Sequence, residues 1–87
     1  AEERAQATAI PRFMEVVKAR FAAGERDVAA LLQDARSALE PGTIDYVEIR
    51  DAQTLRPLEQ VRAPAVCAVA VFFGRARLLD NVELDPG

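Results

Sequence analysis

The sequence contains no histidine, and that absence removes more chemistry than any residue present supplies. Without imidazole there is no Ser-His-Asp or Cys-His pair and no zinc site of the ordinary ligand set. A single cysteine, Cys67, excludes an internal disulfide and a cysteine-based metal cluster. Its neighbours Val66, Ala68 and Val69 bring no base to lower its pKa, so it reads as a buried structural thiol. Glycine is sparse: Gly24, Gly42, Gly74 and Gly87 lie far apart, and neither a Walker loop nor a GxGxxG fingerprint can be drawn. Long hydrophobic runs are missing too. The longest, Ala63 to Phe73 broken only by Pro64, is too short to span a bilayer. The opening AEERAQAT is acidic and lacks the apolar core of a signal peptide. These features point to a cytoplasmic protein without a membrane partner.

Concentrated positive charge is also absent. The net charge is −3, and the arginines are scattered singly rather than gathered into a stripe. A nucleic-acid surface needs such a stripe or patch, so no nucleic-acid partner is expected. What remains is an ordinary globular balance, 51% apolar and 29% charged, in 87 residues, the size of one small domain over 1–87.

Two helices come first. Ile10, Phe13, Met14, Val17 and Phe21 form the stripe of an amphipathic helix. Thr8 is a candidate N-cap that places Pro11 in the first turn, where a missing N–H costs little. Residues 2–7 then form a separate short turn, or fray. Gly24 stops the helix by supplying a left-handed position. Asp27 caps a second helix carrying Val28, Leu31, Leu32, Ala35 and Leu39, which Pro41-Gly42 ends. The short link makes the two an antiparallel pair whose apolar stripes are core.

The period then becomes extended. Residues 44–50 place Val47 and Ile49 on one face, with Tyr46, Glu48 and Arg50 on the other. Residues 66–73, VCAVAVFF, are apolar on both faces, as in a central strand covered on both sides. Gly74-Arg75 is the turn to a strand at 77–84 with Leu78, Val82 and Leu84 on one face. About fifteen residues carrying Pro57 and Pro64 cross between the first two strands, with room for a helical turn near 55–61. The expected fold is α+β: two layers, an antiparallel helix pair on a small three-stranded antiparallel sheet, in the order helix, helix, strand, crossover, strand, strand.

Two polar segments merit a functional reading. Arg75-Ala76-Arg77-Leu78-Leu79-Asp80-Asn81 sets two arginines at the hairpin tip, where they can meet a phosphate, an acidic neighbour or only water. Asp80 shares a face with Leu78 and Val82, so if buried it needs a hydrogen-bond partner. In Arg50-Asp51-Ala52-Gln53-Thr54-Leu55-Arg56-Pro57, Asp51 can accept backbone N–H groups, which explains the loop without a ligand.

The order and spacing of several short pieces resemble one family. Glu2-Glu3-Arg4-Ala5 is similar to a segment that follows a KMSKS-like loop, and Ala22-Ala23-Gly24-Glu25-Arg26-Asp27 to that family's linker between helices. Stronger matches are Asp45-Tyr46-Val47-Glu48-Ile49-Arg50-Asp51, then Thr54-Leu55 with Pro57-Leu58, and finally Gly74-Arg75-Ala76-Arg77-Leu78-Leu79-Asp80-Asn81. Together they resemble the carboxy-terminal lid domain of the pantothenate synthetases, the pantoate–β-alanine ligases.

That resemblance implies a parent enzyme that condenses pantoate with β-alanine through pantoyl adenylate, releasing AMP and pyrophosphate, with ATP and Mg as its nucleotide and metal. It also implies a homodimeric parent and a monomeric fragment. In such enzymes a His-x-Gly-His motif and the KMSKS-like loop lie in or beside the amino-terminal nucleotide-binding domain, and neither is in these residues. No residue here is therefore assigned a catalytic, cofactor-binding or metal-binding role, and the fragment alone is expected to be inactive. Its expected partner is the absent catalytic domain. The alternative is an autonomous protein–protein interaction module; an upstream His-x-Gly-His motif in the same reading frame separates the two.

Overall fold

A computed structural model describes residues 2–40 and 42–87, with side chains described from Thr8 onward except at Pro41. The side chains of the Glu2–Ala5 segment and the part of Pro41 in ending the second helix lie outside the described residues. The elements are α1 (Glu2–Ala22), α2 (Val28–Gln33), a 3₁₀ segment (Ala35–Leu39), β1 (Thr43–Asp51), β2 (Ala65–Phe73) and β3 (Ala76–Leu84). The helical stretches pack on one side of an antiparallel sheet of order β1-β2-β3.

α1 departs from the expected boundary. It is one continuous helix from Glu2, with Thr8 inside it and Pro11 in its interior rather than its first turn. An interior proline disfavours a helix by about 3 kcal/mol, but it forfeits only one backbone bond. Pro11 is exposed, whereas Ile10, Phe13, Met14, Val17 and Phe21 are all buried. Burial of the stripe outweighs the local penalty.

The end of α1 follows the expected chemistry. Gly24 has φ +107°, its N–H donates to the Phe21 carbonyl at 3.0 Å, and the Glu25 N–H donates to the Arg20 carbonyl at 3.0 Å. This pair of bonds is the Schellman closure, which satisfies carbonyls the helix would otherwise orphan. Arg26 adds to it, donating from Nη1 to the Phe21 carbonyl at 2.7 Å while its guanidinium lies 4.0 Å from the Phe21 ring centre. Asp27 then caps α2, its carboxylate accepting the Ala30 N–H at 3.0 Å. Asp27→Ala should cost about 1 kcal/mol and lower the thermal midpoint by about 4–8 °C; Asp27→Asn, which keeps the acceptor, should restore most of it.

The second helix is shorter than its apolar spacing implied. It stops at Gln33, and the chain tightens into 3₁₀ form from Ala35. The Ser37 hydroxyl donates to the Asp34 carbonyl at 2.9 Å, and the Asp34 carboxylate is tied to Arg20 of α1. Local bonds of this kind compete with regular helix, while Leu31, Leu32, Ala35 and Leu39 still reach the core.

The register fixes the faces of the sheet. Val47, Val69 and Asp80 share a row, as do Ile49, Cys67 and Val82, and these rows face the helices. The pairing slips at Asp45, between Ile44 and Tyr46, an irregularity that period-2 reasoning did not foresee. β2 is central, as its composition implied. Among the described residues it is covered on one side only. Core residues Ala65, Cys67, Val69 and Val71 lie beneath the helical layer, but no element among the described residues lies over the side carrying Val66, Ala68, Ala70 and Phe72.

The segment between β1 and β2 joins neighbouring antiparallel strands rather than distant ones, and no helical turn forms over 55–61. Its backbone bonds go elsewhere. Leu58 N–H donates to the Ile49 carbonyl at 3.3 Å, and Val61 N–H to the Arg26 carbonyl at 2.8 Å. Pro57 favours an extended residue before it, and Val61, 1% exposed, pins the loop into the core.

Candidate functional site

The two polar segments singled out from sequence lie apart, at opposite ends of β1. At the hairpin tip, Gly74 adopts φ +63° and Arg75 is exposed. Arg77 is engaged: its Nε and Nη2 donate to Asp45 Oδ2 at 3.0 and 2.9 Å, and its guanidinium lies 5.9 Å from the Tyr46 ring centre. It braces the sheet rather than waiting for a ligand. Asp80 is exposed, and its carboxylate accepts the Asn81 N–H at 2.8 Å, so the question of a buried unpaired carboxylate does not arise.

The Arg50–Pro57 loop is a self-contained hydrogen-bonded unit. Asp51 Oδ1 accepts the N–H groups of Gln53 and Thr54, both at 2.8 Å, as its sequence position suggested. Arg50 donates from Nε to Glu48 at 2.6 Å and from Nη1 to the Leu55 carbonyl at 2.9 Å. The loop holds Leu55 at φ +62°, a left-handed conformation rare for leucine, with its side chain exposed. No sequence signal marked that residue.

Backbone donors, Thr54 first and Gln53 next, hold the Asp51 carboxyl below its usual pKa. A depressed carboxyl pKa stabilises the folded loop above the unfolded-state value, and that contribution is lost as pH falls through the folded value. In a carbon-detected NMR titration, Asp51 should protonate at lower pH than an unstructured aspartate, and the Gln53 and Thr54 amides should shift with the same midpoint. A midpoint at or above the ordinary value would remove this account of the loop.

A shallow groove of about 820 Å³ runs between α2 and β1, lined in part by Val28, Leu32, Arg36, Val47, Glu48 and Leu58. Its polar groups do not converge: Asp27 caps α2, and Glu48 is taken by Arg50. Cys67 is fully buried, and burial pushes its thiol up to about 12, so it is a packing residue and not a nucleophile. Among the described residues no cluster of three or more His, Cys, Asp or Glu is placed to hold a metal ion. The arginines at 20, 50 and 77 are committed to Asp34, Glu48 and Asp45.

The family model described as pantoate-beta-alanine ligase matches residues 1–83. The chain belongs to that family. It is 43% identical over 86 residues to the pantothenate synthetase of Akkermansia muciniphila, covering 95% of this chain and 30% of that protein. The pantothenate synthetase of Bacillus subtilis is 39% identical over 87 residues, with 98% of this chain and 30% of that protein covered. A crystal structure of the pantothenate synthetase of Thermus thermophilus superposes with a TM-score of 0.85 at 34% identity, covering 99% of this chain and 32% of that one. The chain thus spans about a third of the length of the relatives it matches.

Proposed function

We infer that this chain is the carboxy-terminal lid domain of a pantoate–β-alanine ligase. The whole enzyme joins pantoate to β-alanine at the expense of ATP through pantoyl adenylate, releasing AMP and pyrophosphate, and the isolated domain is inactive. The observation that carries the reading is the end-to-end family match, over residues 1–83, to relatives of which the chain spans only 30%. The absence of histidine and of a phosphate loop from these residues supports assigning ATP, Mg and both substrates to the larger remainder.

The physical task of a lid follows from the intermediate. An acyl adenylate is a mixed anhydride that water hydrolyses, so the site must exclude water between the two half-reactions. A small rigid domain that moves as a unit can do this without contributing a reacting group. The full polypeptide should form pantothenate and AMP from pantoate, β-alanine and ATP, and the 87-residue chain should form neither. In an amide NMR titration of the isolated chain, ATP and pantoate should leave the dispersed peaks in place. Saturable shifts clustered at Arg75–Asn81 or Arg50–Pro57 would show that the domain brings ligand contacts of its own, contrary to this reading.

A further inference from the structure

We propose that the open face of the sheet is the surface through which this domain docks on the larger, preceding part of the synthetase. This rests on the lid reading above. Four cross-strand rows define the face: Thr43, Phe72 and Arg77; Tyr46, Ala70 and Leu79; Glu48, Ala68 and Asn81; Arg50, Val66 and Glu83. Its apolar end carries the large side chains. Leu79 is 58% exposed and Phe72 37%, whereas Ala70 between them in the central strand is 0% exposed. The nearby charges are already matched within the domain, Asp45 with Arg77 and Glu48 with Arg50. At that end a partner surface therefore needs an apolar centre and no compensating charge.

Size decides which partner. Three strands of nine residues each make a face of about 30 by 14 Å at ordinary strand rise and spacing, so docking buries about 800 Å² in total. That is below the roughly 1,200 Å² at which independent proteins form stable complexes. It lies within the roughly 600–1,500 Å² of interfaces between domains of one chain. A covalently joined neighbour is present at an effective concentration on the order of millimolar, enough to populate so small an interface and still let it open. A second copy of the chain has no such advantage. The relatives supply the neighbour: about two-thirds of their length lies outside the region matched here. The two-sided apolar character of β2 then has a cause, one face for the helices and the other for that neighbour.

The test uses cysteine labelling, for which the native Cys67 is silent because it is fully buried. Leu79→Cys is placed on the open face and Gln33→Cys, exposed, on the helical layer. In the isolated chain both should react with a maleimide at similar rates at any protein concentration. In the full polypeptide with ATP and pantoate, Leu79→Cys should slow by at least about tenfold while Gln33→Cys does not. Unchanged labelling of Leu79→Cys, or protection of Gln33→Cys in its place, would overturn the assignment. Concentration-dependent protection in the isolated chain would assign the face to a second copy and overturn it equally. Pantothenate formation is assayed on the same preparations. Synthesis without protection defeats the docking face alone, and protection without synthesis defeats the ligase reading alone.

Discussion

Replacing Phe13 with alanine will cost the domain about 3–5 kcal/mol, the usual loss for a buried phenylalanine. Phe13 is 0% exposed and sits in the cluster that joins α1 to the sheet, with Val17, Leu39 and Val69 among its members. A chain of this size has about 4–13 kcal/mol of stability in all, so the change removes a large share of it. Only the ring is lost, but α1 is the helix that the 3₁₀ segment, β2 and β3 rest on, leaving no second layer to collapse into the cavity. The thermal midpoint should fall by more than about 15 °C. Urea denaturation followed by far-UV circular dichroism measures the free-energy loss and a thermal melt the midpoint, with Leu79→Ala as the control. Leu79 is exposed, so its truncation should cost no more than about 0.5 kcal/mol. Equal losses at the two positions would mean that the core does not lie where the burial pattern puts it.

The sequence showed this core because the period changes once, cleanly, from helical to extended along the chain. Every residue of the Ile10–Phe21 stripe is buried, and the faces assigned to β1 and β3 are the observed ones. Boundaries were legible where one residue carries one mechanism, as at Gly24 and Asp27. They failed where tertiary contact overrides local preference. Pro11 argued for a helix start that the buried stripe does not respect. The apolar spacing through Leu39 argued for one helix where bonds at Asp34 and Ser37 divide it. Leu55, Leu58 and Val61 have a helix-like spacing, yet Val61 is buried, Leu58 half-buried and Leu55 exposed, because the segment bonds to β1 and to Arg26 instead of to itself.

The functional surface was half legible. Both faces of β2 are visibly apolar in the sequence, and that is the signal for the open face. Periodicity reports how apolar each face is, but not which chain segment covers it. The arginines misdirected attention to the hairpin tip, since a sequence does not show that Arg77 is spent on Asp45 across the sheet. Removing Arg77 would unpair Asp45 and disturb Tyr46, so a kinetic change on its loss would not by itself identify a contact. Leu79 is the cleaner probe because its side chain is uncharged and 58% exposed.

Gly42→Ala should cost about 2–3 kcal/mol, more than alanine at Gly24, Gly74 or Gly87, where a Cβ meets nothing within 4 Å. Gly42 joins the 3₁₀ segment to β1, and its N–H donates to the Leu39 carbonyl at 2.8 Å. A Cβ there would lie 2.4 Å from a Val71 methyl, 2.8 Å from the Phe73 ring tip and 2.9 Å from the Leu39 carbonyl oxygen. All three are closer than real Cβ contacts come, and one is backbone, so rotation of a single side chain cannot clear the site. The cause differs from that at Gly24, where φ +107° strains any other residue but nothing stands within 4 Å. A steric cause predicts coupling. Val71→Ala removes the nearest methyl, and in that background Gly42→Ala should cost about 1 kcal/mol less than it does alone. Gly24→Ala, costing about 1 kcal/mol through its backbone, should add to Val71→Ala without coupling. Strict additivity at Gly42 would mean that the approach of β2 to this glycine is not what selects it.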